Sequence, residues 1–141
     1  MEYISQTPKP DEVDFAISYA EIDNIVKDAF KGAENLRNLD GHEPYMISKD
    51  TVERVFAEYS TIGACKYDKD WYDCDDFALA TLGLFKQPSL SMYVFGLMMS
   101  DTHAYNFFID NSKVLWLFEP QTGKAFEFDG NEKYRTTQYL V

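Results

Sequence analysis

Cys74 heads the segment Asp73-Cys74-Asp75-Asp76-Phe77-Ala78, and that placement is what could make its thiol a nucleophile. A thiol attacks a carbonyl only as thiolate, so it needs something that lowers its pKa and a base beside it. Asp73 reads as the N-cap of a helix from Cys74 to about Phe85. The sulfur then lies in the first turn, where the helix dipole and free amides favour negative charge. The Cys74 amide is also placed to hold a developing oxyanion. Cys65, the other cysteine, precedes Lys66 in a loop and reads as a small packed residue.

A base for this thiol has to be a histidine, and there are two. His42 follows Asp40-Gly41 in a loop and reads as plain surface. His103 opens a strand, where a lone histidine is more often structural than catalytic. Asp110-Asn111-Ser112-Lys113 reads as a hairpin turn. With that turn centred on Asn111, His103 and Glu119 fall at equal distances on either side, as cross-strand neighbours on one face. Tyr105, Phe107, Ile109, Leu115 and Leu117 share the face and offer an apolar surface for the Cys74 helix. A helix-borne thiol, a strand-borne imidazole and an orienting carboxylate follow the logic of a catalytic triad, with the Cys74 proton passing to His103. Asn106 is offset by parity and reads as strand packing. Gln121 could bond the Glu119 carboxylate, and Trp71 or Tyr72 could supply the second oxyanion donor.

Asp68, Asp70, Asp73, Asp75 and Asp76 crowd around the thiol. Their charge should raise its pKa, and a bound divalent cation would reverse that effect. Carboxylate oxygens suit calcium, although the spacing is not that of an EF-hand. The expectation is that Asp75 and Asp76 hold calcium with help from Asp68, Asp70 or Asp73. The simpler reading makes Asp73 a helix cap and Asp75 and Asp76 complements of the helix dipole.

Several elements must position these residues. Ser18-Tyr19-Ala20-Glu21 has the form of a capping box for a helix over about 19–31, carrying Ile22, Ile25, Val26 and Phe30. Ser48 caps a second helix, Thr51 to Tyr59, with Val52, Val55, Phe56 and Tyr59 on one face. The Cys74 helix presents Phe77, Ala78, Thr81, Leu82 and Phe85, and Gln87-Pro88-Ser89 ends it. Strands follow at Ser91–Met99, His103–Ile109, Val114–Pro120 and Ala125–Phe128. Helices first and an antiparallel sheet second give an α+β class in a single domain over 1–141, with an irregular lead-in at 1–17.

A length of 141 residues, 45% of them hydrophobic and 16% aromatic, is that of one ordered globule. The net charge of -11 disfavours nucleic acid and anionic membranes as partners, since both repel it. It also allows a solvated surface, cation binding or mimicry of nucleic acid charge. Two cysteines make no disulfide framework, Met1-Glu2-Tyr3-Ile4-Ser5 does not read as a secretory signal, and no run is long enough to span a membrane. The expected location is cytoplasmic.

Asp73-Cys74-Asp75-Asp76-Phe77-Ala78-Leu79-Ala80, His103 to Ile109, and Phe118-Glu119-Pro120-Gln121-Thr122 together resemble a known family. It comprises the peptidase-like C-terminal domain of the fairy-ring mushroom agglutinin and similar stand-alone phage and bacterial domains. The first block is also similar to bacterial transglutaminase-like cysteine proteinases. Over residues 45–128 the resemblance implies a papain-like fold with its sheet packed on the Cys-bearing helix. It implies Cys74 as nucleophile, His103 as base, Glu119 as orienting acid, and calcium-dependent hydrolysis of a peptide or protein substrate. The agglutinin's sugar-binding lectin domain has no counterpart here, so the resemblance does not imply carbohydrate binding. Two alternatives stand beside the peptidase. One is a non-enzymatic phage or prophage protein that binds a host factor through its acidic surface. The other uses Cys74, His103 and nearby aspartates as ligands for zinc.

Overall fold

Ser18 accepts the Glu21 N–H and starts α1, Tyr19–Ala29, while Ser48 does the same through Thr51 for α2, Lys49–Tyr59. Asp73 starts α3, Cys74–Phe85, with a complete capping box: its side chain accepts from the first turn, and the Asp76 carboxylate accepts the Asp73 N–H. The computed structural model describes residues 15–39, 41–62 and 65–141. Asp40 and most of the expected lead-in therefore lie outside the described residues. Phe15 to Ile17 pair with the Pro44–Met46 segment through Ile17 N to Pro44 O and Met46 N to Phe15 O.

Six strands form one sheet: β1, Glu34–Arg37; β2, Phe95–Met99; β3, Ala104–Ile109; β4, Leu115–Glu119; β5, Lys124–Phe126; and β6, Gln138–Leu140. Their spatial order is β1-β6-β2-β3-β4-β5. The β2–β3, β3–β4, β4–β5 and β2–β6 pairs are antiparallel, and β1 lies parallel to β6. This corrects the papain-like arrangement of helices followed by an antiparallel sheet. A strand falls between α1 and α2, and the sheet is mixed. Glu34–Arg37 is polar and mostly exposed, so no alternation of apolar residues marks it as a strand.

Side chains alternate across the sheet and fill two cores. Phe95, Leu97, Ala104, Phe108 and Phe118 face α2 and α3, meeting Val52, Val55, Phe56, Phe77, Ala78 and Phe85. Phe85 stacks on Phe95 with ring centroids 3.9 Å apart. Val94, Met98, Tyr105, Phe107, Ile109 and Leu117 face the other way, against Ile22, Val26 and Phe30 around α1. The expected packing of the Cys74 helix on the Tyr105–Phe107–Ile109 face is thus corrected: α3 covers the opposite face. All six residues of β3 are buried, so its pattern could not tell the two faces apart.

Candidate functional site

Cys74 is half-buried at the start of α3, and His103 is buried just before β3. Both line an open cleft of about 350 Å³ together with Tyr67, Thr102, Gln121 and Lys133. The cleft lies at the end of the sheet, which is how residues from opposite faces reach it.

His103 Nε2 lies 2.6 Å from Glu119 Oε1, and both side chains are almost fully buried. The residues meet through a register other than the expected one. Asn106 pairs with Phe118 and Phe107 with Leu117, which centres the hairpin on Ser112. Continuing that register sets Glu119 opposite Tyr105, with His103 as its diagonal neighbour. The turn explains the difference. Asp110 N donates to Val114 O, and Lys113 takes a left-handed φ of 60°, the form of a type I turn closed by a left-handed residue. A partner shift of two residues preserves the face, so the pair survives.

Three donors hold Glu119. Beside His103, the Tyr134 hydroxyl donates to Oε1 at 2.8 Å and the Gln121 N–H donates to Oε2 at 3.2 Å. Burial raises the Glu119 pKa, but the bonds from His103 and Tyr134 outweigh it and hold the carboxyl below its ordinary value. Gln121 does bond the carboxylate, through its backbone N–H. Asn106 does strand work: its Nδ2 donates to Ala78 O and Gly96 O.

The electrostatics at Cys74 run against a thiolate. Burial pushes the thiol above its ordinary value, Asp75 and Asp73 add to the rise, and the Ala104 N–H opposes it. The Cys74 sulfur is 3.7 Å from Asp75 Oδ1, an arrangement that suits a protonated thiol. Burial, helped by the carboxylates at the same helix start, outweighs the Ala104 amide. Cys65 is exposed rather than packed, and His42 is exposed as expected. Trp71 and Tyr72, the suggested oxyanion donors, do not line the cleft. Trp71 stands out at 84% exposure, and Tyr72 packs edge-on against Phe77.

Of the five aspartates, Asp73 and Asp75 with the Cys74 sulfur place ligand atoms within 4.8 Å of one another. Among the described residues, Asp68, Asp70, Asp76 and His103 do not join that group. Asp76 accepts the Asp73 N–H, and Asp68 accepts the Asp70 N–H in the tight turn below Trp71. Asp73 and Asp75 offer that group two carboxylates, the donor type that a hard cation such as calcium takes. The zinc alternative finds no support, because His103 places no ring nitrogen in that group.

Tyr67, Thr102, Lys133 and Tyr134 were not legible as site residues. Tyr134 carries one weak signal: a half-buried tyrosine needs a partner for its hydroxyl.

Residues 20–140 match the family described as the ricin-type beta-trefoil lectin C-terminal domain. The chain belongs to that family. Among solved structures it is similar to one described as a PSL1a–E64 complex, with TM-score 0.74 and 19% identity over 90% of this chain and 51% of that one. It is also similar to the lectin of Polyporus squamosus bound to the human-type influenza-binding epitope Neu5Aca2-6Galb1-4GlcNAc. There the TM-score is 0.72 with 21% identity, over 90% of this chain and 50% of that one. The chain spans about half the length of these two proteins, and no curated protein matches it.

These findings correct the resemblance drawn from the sequence. The matched family is a lectin domain and not a papain-like or transglutaminase-like peptidase, and its model spans far more of the chain than the Cys74 and Glu119 motifs do. The expected hydrolase activity and the peptide or protein substrate fall with that resemblance. The non-enzymatic alternative stands closer to a lectin, but nothing supports its phage host factor. No helix among the described residues is long and apolar enough to cross a membrane.

Proposed function

We propose that this chain is a glycan-binding domain of the lectin type whose ligand enters the cleft beside Cys74 and His103. The observation that carries the reading is the family match over residues 20–140. The chemistry of the cleft suits it. Thr102 and Gln121 offer hydroxyl and amide groups to sugar hydroxyls, and the exposed ring of Tyr67 offers a surface for a sugar's C–H face. Lys133 places one cation at the rim of a strongly acidic protein, which favours a sugar bearing a carboxylate.

The sialylated trisaccharide bound by the Polyporus squamosus lectin is therefore the first ligand to test. Calorimetric titration should give saturable binding, weakened in Tyr67→Ala and Lys133→Ala. No saturable binding of this or any arrayed glycan at about 1 mM, an affinity near 4 kcal/mol, overturns the reading.

A specific observation favours a second occupant of the same cleft. The neighbour described as PSL1a forms a complex with E64, and Cys74 lies in the cleft wall here. A melting shift or a mass increase with E64, lost in Cys74→Ser, supports that occupant. Unchanged melting and mass remove it.

Calcium at Asp73 and Asp75, with Asp76 alongside, belongs to the same proposal. Melting that rises with calcium in the wild type but not in Asp75→Asn supports it, and identical melting with calcium and with chelator removes it. With both described cysteines free, a reducing, cytoplasmic setting is proposed as well, to be read by cell fractionation.

A further inference from the structure

The segment after β5 folds back over the His103–Glu119 pair and is tied down along its length. Ser100 Oγ donates to Lys133 O at 2.7 Å, and Thr137 N donates to Met99 O at 2.8 Å. A single 3-10 turn, Glu132–Tyr134, capped by Asn131, carries Tyr134 to the pair. The Tyr134 ring meets His103 edge-on at 5.4 Å and Tyr105 at 5.0 Å. Behind it, the buried Tyr105 hydroxyl lies 2.9 Å from Tyr134 O and 2.7 Å from Thr136 Oγ1.

We propose that Tyr134 is a positioning residue of the cleft: its hydroxyl fixes the Glu119 carboxylate against His103, while Tyr105, bonded to the Tyr134 backbone carbonyl, braces the residue from behind. A carboxylate rotates about its terminal torsion with little cost, so one partner leaves its orientation open. The second donor on the same oxygen and the Gln121 N–H on the other define the plane of the group. His103 then presents a fixed ring edge to the cleft. The charged and titratable groups around Glu119 are His103 and Tyr134 in contact and Lys124 as its cross-strand partner. Tyr105 lies beneath, Asp129 bears on Tyr134, and Cys74 and Lys133 line the cleft.

This deepens the cleft reading but is tested on the free protein, so failure to find a glycan leaves it standing. The test compares thermal melting of wild type, Tyr134→Phe and Tyr105→Phe from neutral pH down through the carboxylate range. A bond to ionised Glu119 contributes only while Glu119 is ionised. The Tyr134→Phe deficit should therefore shrink as pH falls below the ordinary Glu value of 4.5. The Tyr105→Phe deficit reaches Glu119 only through the brace, so it should shrink less with pH than the Tyr134→Phe deficit. In a Glu119→Gln background at neutral pH, Tyr134→Phe should cost at most half of what it costs in the wild type. Tyr134→Phe keeps the ring and its contacts, so folding is retained. A deficit that does not change with pH, or full additivity with Glu119→Gln, overturns the proposal.

Discussion

Asn106, fully buried on β3, donates from Nδ2 to the Ala78 carbonyl of α3 at 3.0 Å and to the Gly96 carbonyl of β2 at 3.2 Å. One amide thus ties the helix that begins at Cys74 to two central strands. Among the described residues, its buried Oδ1 has no hydrogen-bond partner. The group gains two bonds and carries the cost of one unsatisfied acceptor.

That balance orders two substitutions. Asn106→Ala loses both bonds and opens a gap under α3, at a cost of about 2–3 kcal/mol. Asn106→Leu fills the space and removes the orphaned oxygen, so it should cost less. Urea unfolding of the two variants checks the order, and a larger loss for leucine would show that its side chain does not fit the space under α3.

Glu119 predicts how the protein meets acid. Its folded-state pKa is held below the ordinary 4.5, so its ionised form stabilises the fold above that value. The contribution is lost as pH falls from 4.5 through the lower folded value. Glu119→Gln should lower stability by about 1.5–3 kcal/mol at neutral pH, the scale of a hydrogen bond to a charged group. Its melting temperature should then fall less steeply than that of the wild type between neutral and acidic pH. Parallel curves would show that Glu119 does not carry this dependence.

What was legible from sequence depended on how local the signal was. Ser18, Ser48 and Asp73 mark their helix starts within a turn, and all three act as caps in the structure. The His103–Glu119 pair was legible through face parity, although the register was not, because the left-handed Lys113 that sets it leaves no sign in a polar turn. β1 and β6 were illegible for another reason. Glu34–Arg37 is polar and becomes a strand by pairing with β6, and Gln138–Leu140 is short and becomes one between β1 and β2. The side of the sheet that α3 covers could not be read from β3, which is buried on both faces. The functional class failed because motifs around Cys74 and Glu119 speak for a few residues, whereas the family match rests on the whole course of the chain.

The thiol at the helix start gives a prediction of sign. Asp75 and Asp73 push the Cys74 pKa up along with burial. Iodoacetamide should therefore label Cys74 no faster than the exposed Cys65 at neutral pH, and the rate should climb with alkali. Asp75→Asn removes one opposing charge and should speed labelling of Cys74 severalfold while leaving Cys65 unchanged. Peptide mass spectrometry over time reads both sites at once. Rapid labelling of wild-type Cys74 at neutral pH would mean that the helix dipole and the Ala104 amide prevail.

Gly96 sits where three strands converge, and a side chain there has no room. A β-carbon would run into the Leu140 carbonyl of β6 and the Phe107 ring of β3. The Leu140 oxygen belongs to backbone paired with β2, so it cannot move without breaking that pairing. Phe107 is fully buried and packs edge-on against Tyr139 at 5.7 Å, which leaves its ring nowhere to turn. Gly96→Ala should thus cost about 3 kcal/mol, at the upper end of overpacking effects. The damage should centre on β6, because β2 can yield only by letting that strand go. Hydrogen exchange should show faster loss of protection across Gln138–Leu140 than along the β3–β4 hairpin, and uniform loss would place the strain elsewhere.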